Sequence, residues 1–457
     1  MKTVIKSAGL LCFTALFFFP ACAKEKYSSW DSYPDVAIAA QLKRFVAEKT
    51  AQAEASVAID GHPMSPELNQ LFEAAARGDW PAVDKDFTIL KKLSSQSGIA
   101  WQSAINIWGA FNAVTSGNPK YSMLFTSEII NSIPPGSIYF GGTGVPSFLV
   151  AVMEKSQTKG APFFLIVQDD LARGGYLDYL HSLYGNQIYI PKSEDLQKCS
   201  EDYIEDVQKR AQDHRLNPGE NVVMDPKTGR VSTNSYYAMI GIDAIVTKII
   251  FDQNSNRDFY IEQGFPFDWM YPYLEPHGMI LKLNRQPLSS LSDGVIKQDH
   301  DYWAKLLQPM IGNWLHDDTS AQDVADFAEK VFLRHDFTSF TGDPQFIQNE
   351  YSQSPYYQMF SKERLSIAGL YMWRADQTSD LAEKKRMDAA ADYACRQAWA
   401  ICPDSDLATV EYVQLLMQEK RKSDALLIAE TANKFRSTAG SGQPGTSQID
   451  ALITAIK

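Results

Sequence analysis

Phe163-Phe-Leu-Ile-Val-Gln168 is apolar at nearly every position. A strand with apolar side chains on both faces is buried on both faces, which is typical of parallel strands covered by helices. The neighbouring segments extend this pattern, because residues 137–142 form a short apolar run and residues 146–155 and 172–183 have helical spacing. Together they predict a β-α-β-α order around residue 163.

The pattern continues toward the C-terminus. Asp258-Phe-Tyr-Ile-Glu262 and Met279-Ile-Leu-Lys-Leu283 are predicted as a third and a fourth strand. Helices over 193–213 and 236–251 and a small hairpin of residues 221–224 with 230–233 complete the region. We therefore predict the α/β class, with a central, mostly parallel sheet of about four strands and its helices over residues 131–298.

Helical segments flank this α/β domain on both sides. Residues 35–130 are predicted as an N-terminal helical domain and residues 299–457 as a C-terminal one. In the latter, small residues such as Ala390 and Ala394 and a period of about 40 residues are typical of two-helix repeats. We predict that these TPR-like (tetratricopeptide-like) helices bind a protein partner.

The start of the chain has the pattern of a secretory signal peptide. Lys2 and Lys6 precede an apolar run over residues 10–19 that is too short to span a bilayer, and Ala21-Cys22-Ala23 provides an A-x-A cleavage site. Cleavage after residue 23 gives an exported protein, periplasmic or secreted, and is favoured over lipid attachment at Cys22. No later run approaches ~20 apolar residues, so we expect no transmembrane segment in the mature chain.

Composition and charge narrow the class of protein. The 457 residues are 45% hydrophobic and 21% charged, which is a globular composition for about two or three domains. The net charge of −12 becomes −14 when residues 1–23, which carry two lysines and no acids, are removed. Because a negative surface repels phosphate, nucleic acid is not expected as a partner.

Three cysteines remain after cleavage, Cys199, Cys395 and Cys402. The last two are seven residues apart on one predicted helix, about 10 Å, which is too far for a disulfide. Buried thiols are favoured for all three, and a bond from Cys199 to one of the others is the alternative. The sequence has no metal-binding or cofactor motif of known spacing, so neither a metal nor a cofactor is predicted.

The carboxyl ends of the predicted strands carry the candidate site, because ligands of open α/β sheets bind beyond these ends. Catalytic carboxylates are predicted at Asp169, Asp170 and Glu262. Two carboxylates in one crevice can divide acid and base roles when repulsion separates their pKa values. The predicted ligand-binding residues are Gly141, Gly142, Thr143, Asp268, Trp269 and Arg285.

Structural roles compete with these assignments. The two aspartates also fit a cap on the following helix, and the glycines a tight turn. Trp269, Tyr271 and Tyr273 fit either a platform for a sugar ring or a packed aromatic corner. Glu275 and His277, in a predicted turn before the fourth strand, fit either a proton relay or a structural role.

Four segments are similar to a family of uncharacterised bacterial envelope proteins: residues 133–143, 183–191, 258–262 and 265–278. The similarity extends over roughly residues 35–435, and its Phe-Asp-Trp-Met-Tyr-Pro segment is the specific part. It implies a soluble extracytoplasmic α/β module that ends in TPR-like helices, alone or attached to a membrane part resembling glycosyltransferases. It implies no activity.

The chain departs from that family after Gly-Gly-Thr. The family continues Asp-Pro-Gly-Arg-Phe, whereas this chain has Gly144-Val-Pro-Ser-Phe148. Both charged groups are therefore missing from a loop suited to a charged ligand.

Two functions follow from these observations. The first is an exported binding protein, whose TPR-like helices hold a protein partner and whose α/β domain binds an envelope or extracellular ligand, such as a glycan or glycoprotein. The alternative is a secreted carboxylate-dependent hydrolase, a peptidase or glycosidase that acts on extracellular glycoprotein.

Overall fold

The computed structural model describes residues 27–33, 35–60, 63–92, 98–116, 118–142, 144–154, 162–216, 220, 222–224, 231–233, 235–262, 266–350, 356–438 and 448–457. The predicted signal peptide over residues 1–23 and Thr143 lie outside these ranges. The described residues up to Tyr260 form one compact unit, and those from Ile261 onward form a second. The predicted domain boundaries at 131 and 299 stay predictions.

The first unit begins with helices, as the sequence predicts for residues 35–130. They are α1 (Val36–Asp60), α2 (Pro66–Arg77), α3 (Trp80–Leu90), α4 (Ile99–Thr115) and α5 (Pro119–Ser132). Helix α2 starts with the capping signal of the sequence, because the Ser65 hydroxyl accepts a hydrogen bond from the Leu68 amide at 3.2 Å. It ends at Gly78, whose φ of +76° favours glycine.

The β-α-β-α order around residue 163 is confirmed. Strand β1 (Ile138–Gly141) leads through α6 (Val145–Met153) to β2 (Phe164–Val167), and α7 (Gly174–Tyr184) follows. The two strands are parallel, with Ile138 opposite Phe164 and Gly141 opposite Val167. Their carboxyl ends therefore lie side by side.

Strand β2 lies at one end of the sheet, and α7 supplies hydrogen bonds to its outer edge. The Tyr184 hydroxyl accepts from the Leu165 amide at 3.0 Å and donates to the carbonyl of the same residue at 2.8 Å. Two residues along the strand, the Tyr176 hydroxyl accepts from the Val167 amide at 2.7 Å. These side chains thus satisfy backbone groups that an edge strand otherwise leaves unpaired.

The rest of the first unit also matches the predicted elements. They are α8 (Asp195–Gln212), the antiparallel hairpin of β3 (Val222–Met224) and β4 (Val231–Thr233), α9 (Ser235–Gln253) and β5 (Phe259–Ile261). Helices α8 and α9 approach closely at Gly241, where a Cβ atom would lie 2.3 Å from the Tyr203 ring. A larger residue at this position would push the helices apart.

The second unit contains β6 (Leu274–His277), β7 (Ile280–Leu283) and the C-terminal helices. These are α10 (Asp293–Ile311), α11 (Ala321–Phe327, continued as a π-helix over Ala328–Leu333), a short π-helix (Phe346–Glu350), α12 (Tyr356–Gln377), α13 (Leu381–Ile401), α14 (Asp406–Gln418), α15 (Lys422–Thr438) and α16 (Gln448–Ile456). A helical C-terminal region is thus confirmed, without a test of its TPR-like character.

The sheet differs from the predicted one. It has five strands in the order β2-β1-β5-β7-β6, and it is mixed, because β1 and β2 are parallel whereas β6 and β7 are antiparallel. The described chain is mostly helical around this small sheet. The predicted sheet, mostly parallel with about four strands, is thus confirmed only in part: it has five strands, because β6 was taken for a turn, and β6 pairs antiparallel with β7.

Candidate functional site

The two predicted aspartates lie on a single turn of 3-10 helix directly after β2. This turn, Gln168–Asp170, brings them to the carboxyl end of β2, next to the end of β1, because Gly141 is opposite Val167. The Asp170 carboxylate is buried and forms an ion pair with Arg173 at 2.8 Å. Burial raises the pKa of Asp170, and the guanidinium of Arg173 opposes that rise.

A third carboxyl group, which the sequence prediction missed, faces this turn from α9. Asp243 is only 3% exposed, and its Oδ1 atom accepts a hydrogen bond from the Ala172 amide at 2.6 Å. Burial raises the pKa of Asp243 to about 8, and the charges of Asp169 and Asp170 raise it further, whereas the Ala172 amide and Arg173 lower it. Asp243 is therefore mostly protonated at neutral pH.

This arrangement bears on the alternative role of Asp169 and Asp170, as caps of the helix that follows them. Helix α7 begins at Gly174, and its N-cap residue Arg173 makes no side-chain capping bond. The amide of Ala172 just before the helix is bound by Asp243. The hydrogen bond to this turn thus comes from a residue far away in the sequence.

An aromatic side chain stands at the exposed side of the cluster. Tyr236, in the first turn of α9, is 39% exposed, and the nearby Asp169 contributes to the raised pKa of its hydroxyl, after burial. Its ring meets that of Tyr237 edge to face, with centroids 5.7 Å apart. An exposed ring beside a carboxylate offers an apolar face to a ligand together with a charged group.

Of the other predicted site residues, Gly141 is near this turn, at the end of the neighbouring strand. Glu262 is buried directly after β5 and belongs to the second unit, whereas Asp169 and Asp170 belong to the first, so a shared site stays a prediction. Arg285 follows β7 and is half-buried. Gly141 and Gly142 are buried at the end of β1, ahead of α6, and Thr143 lies outside the described residues.

The segment with Asp268 and Trp269 is part of a packed corner of the second unit. Asp268 is exposed, and the half-buried Trp269 meets the Tyr273 ring at 6.4 Å. Tyr271 stacks on Trp373 of α12 at 5.5 Å. The neighbouring guanidinium of Arg374 binds four backbone carbonyls around this corner, those of Tyr271, Pro272, Leu274 and Leu288. The sugar platform therefore stays a prediction, beside an observed packing role.

Glu275 and His277 are in a strand rather than in a turn, which corrects the prediction. Both belong to β6, where Glu275 is opposite Lys282 of β7, and their charged groups lie 3.9 Å apart. The turn itself is formed by Gly278, whose φ is +63°. The carboxylate of the supposed relay thus has a cross-strand partner.

In the part of the chain that the structure describes, no group of three or more His, Cys, Asp or Glu side chains is arranged to hold a metal ion, and this includes the cluster of Asp169, Asp170 and Asp243. None of the described helices is long and apolar enough to cross a membrane. The three cysteines are free and buried, as predicted.

Comparison with known proteins adds no relative. No protein family, curated protein or solved structure matches the chain.

Proposed function

We propose that the chain is an exported, carboxylate-dependent hydrolase whose acid–base site is the cluster of Asp169, Asp170 and Asp243. The observation that carries this proposal is the buried carboxyl of Asp243, with a pKa of about 8 beside two other carboxyl groups. A site that holds one carboxyl protonated and another ionised at the same pH has both an acid and a base.

Each carboxyl has a distinct role in this proposal. Protonated Asp243 donates its proton to the leaving group of the substrate, while Asp169, which is half-buried, takes a proton from the attacking water. Asp170, paired with Arg173, keeps negative charge beside Asp243 and so favours its protonated form. Tyr236 provides an aromatic face for the substrate.

The expected substrates are glycosides or peptides of the cell exterior. We would test 4-nitrophenyl glycosides and chromogenic peptides with the wild-type chain, with Asp169→Asn and with Asp243→Asn. Removing the base or the acid lowers turnover by about 100-fold or more, because general acid–base catalysis contributes this much. Asp252→Asn is the matched control, since Asp252 is on the same helix but exposed and paired with Lys248.

Two results would contradict the proposal. Turnover that is unchanged in Asp169→Asn and Asp243→Asn would exclude these carboxyls from the reaction. A wild-type chain that hydrolyses none of the probes between about pH 5 and about pH 8, where Asp243 holds its proton, would remove the hydrolase itself.

A second proposal concerns binding of a protein by the C-terminal helices. Helices α12 and α13 are joined by a short connection, as are α14 and α15, which supports a helical-repeat arrangement of the TPR-like kind. Leu381, at the start of α13, is 82% exposed, so it offers an apolar contact. A partner recovered from envelope extract by the wild-type chain and lost with Leu381→Glu would support this role, whereas equal recovery by both would not.

Export is also part of the proposal, and the N-terminal sequence supports it. Mass spectrometry of the mature chain, after expression in a bacterium with an outer membrane, should find Lys24 as the first residue and the protein in the periplasm or medium. A chain that retains residues 1–23 in the cytoplasm would contradict export. A lipid on Cys22 would contradict release but not export.

A further inference from the structure

Helix α9 has two sides with different neighbours. The Asp243 carboxyl accepts a hydrogen bond from the Ala172 amide, so the side of the helix that carries it faces the turn after β2. The other side faces α8, because a Cβ atom on Gly241 would lie 2.3 Å from the Tyr203 ring. The residues of α9 on the side of Asp243 are therefore the ones that a ligand of the carboxyl cluster meets.

Three residues of α9 share the side of Asp243. In an α-helix, residues that are three, four and seven positions apart lie on one side. Counted back from the aspartate, these positions are Ile240, Met239 and Tyr236. None of the three side chains carries a charge at neutral pH, and together they form a surface that we call the apolar strip.

The apolar strip leads from solvent to the carboxyl cluster. Asp243 is 3% exposed, Met239 and Ile240 are half-buried, and Tyr236 at the start of the helix is 39% exposed. The outer end of the strip also adjoins a carboxylate, because the charge of Asp169 contributes to the raised pKa of the Tyr236 hydroxyl. A group bound at the carboxyls is thus in reach of the strip.

The chemistry of the apolar strip favours one class of substrate. Isoleucine has no polar side-chain atom, and the methionine sulfur is only a weak acceptor of hydrogen bonds. A sugar ring carries hydroxyl groups on its edges, and these lose their bonds to water when they meet such a surface. A large apolar side chain of a peptide has no such loss and gains free energy from burial. The strip therefore fits a peptide better than a glycoside.

We propose that the substrate is a peptide whose large apolar side chain, next to the cleaved bond, packs on the apolar strip. This inference rests on the proposed hydrolase. Hydrolysis adds one water molecule across the amide bond: Asp169 takes a proton from the water, and Asp243 gives one to the leaving nitrogen. The products are a carboxylic acid and an amine, and proton exchange with solvent restores both carboxyl groups. The strip holds the side chain and so positions the amide bond at the carboxyls.

Calorimetry with uncleavable peptides tests the strip separately from the reaction. In these peptides a methylene–amine linkage replaces the amide bond, and the residue before it is phenylalanine, alanine or lysine. We expect the full chain to bind the phenylalanine peptide about tenfold more tightly than the alanine peptide, because burial of a large apolar side chain contributes at least this much. Equal affinity for these two peptides would overturn the proposal. Tightest binding of the lysine peptide, which the carboxylates alone favour, would overturn it too.

Two tyrosine variants test the position of the bound side chain. Tyr236→Ser should weaken binding of the phenylalanine peptide about threefold or more, since an aromatic pair is lost, and should leave the alanine peptide unaffected. Tyr189→Ser is the matched control, because the Tyr189 ring is 43% exposed and its backbone bonds to Asn254 beyond the other end of α9, about 27 Å along the helix from Tyr236. Tyr189→Ser should bind both peptides like the wild type. Unchanged affinity of Tyr236→Ser for the phenylalanine peptide would overturn the proposed strip.

Turnover separates this proposal from the hydrolase itself. With the corresponding cleavable peptides, kcat/KM should be higher for phenylalanine than for alanine by about the same factor as the affinity. A chain that cleaves 4-nitrophenyl glycosides and no peptide keeps the hydrolase but overturns the peptide substrate. A chain that cleaves no probe but prefers the phenylalanine peptide in calorimetry loses the hydrolase, and supports the strip as a surface for apolar side chains.

Discussion

The charge of Asp243 should make the stability of the protein depend on pH, and Asp243→Asn should remove that dependence. In the folded chain the pKa of this carboxyl is about 8, against an ordinary value of 3.8. Between these values the folded chain holds a proton that the unfolded chain has lost. The stabilisation of the folded chain by this carboxyl is complete below its ordinary pKa of 3.8, and it is lost as the pH rises through the folded-state pKa of about 8.

The size of the effect follows from one proton. Between about pH 5 and about pH 8 this group lowers the free energy of unfolding by about 1.4 kcal/mol per pH unit, or about 4 kcal/mol in all. Asparagine has nearly the same shape, and its carbonyl oxygen can still accept the hydrogen bond from the Ala172 amide. It carries no charge at any pH, so the contribution of residue 243 to the slope disappears.

Urea unfolding followed by tryptophan fluorescence gives the free energy of unfolding at each pH. We expect Asp243→Asn to gain about 1.4 kcal/mol on the wild type with each pH unit from about 5 to about 8. If burying the asparagine amide lowers the free energy of unfolding by the same amount at every pH, the whole curve of that free energy against pH shifts, but its slope does not change. The exposed control Asp252→Asn should run parallel to the wild type. If Asp243→Asn also runs parallel to the wild type, the carboxyl is ionised in the folded chain and the argument for an acid at this site fails.

Three further substitutions test the packing of the first unit. Tyr184→Phe removes the hydroxyl that forms hydrogen bonds with both the amide and the carbonyl of Leu165, and it should lower the free energy of unfolding by about 2 kcal/mol. The control Tyr189→Phe removes the hydroxyl of an exposed ring and should change the free energy of unfolding little. Lys49 is buried with its pKa lowered to about 7, so its contribution to the free energy of unfolding should rise as the pH increases from about 7 to about 10. Denaturation curves of Lys49→Met should lack this contribution, so the difference in stability between the wild type and Lys49→Met should grow with pH over this range. Gly241→Ala places a methyl group 2.3 Å from the Tyr203 ring of the adjacent helix. It should lower the free energy of unfolding by about 1–3 kcal/mol, and with it the melting temperature. An unchanged melting temperature would show that the two helices can move apart to accept the methyl group.

Local patterns were sufficient to predict most elements of the first unit. The run over residues 163–168 became β2, and the helical spacing of residues 236–251 became α9, because apolar periodicity reflects which faces are buried. Strand β6 was missed, since Leu274-Glu-Pro-His277 has a proline and no apolar alternation. Proline is tolerated there because β6 is an edge strand and needs fewer ladder bonds.

The proposed site was only partly predictable, for a related reason. Asp169 and Asp170 were candidates from the sequence because they follow a recognisable strand. Asp243 comes more than 70 residues later, on a helix that was predicted from its apolar residues. Only the fold shows that this helix packs on the turn after β2. The sequence did offer one signal, because Asp243 is an acidic residue among apolar neighbours in a predicted apolar helix. An aspartate is rarely buried without a partner, so this position could have been added to the candidate site.

The tyrosine bonds along β2 have a consequence for self-assembly. While α7 is docked, the backbone of Leu165 and Val167 cannot template a strand from a second molecule. A brief detachment of α7 would expose Phe163-Phe-Leu-Ile-Val, a segment with the composition of fibril-forming sequences. The lifetime of the docked helix, rather than the global stability of the chain, would then set how long concentrated protein remains dispersed.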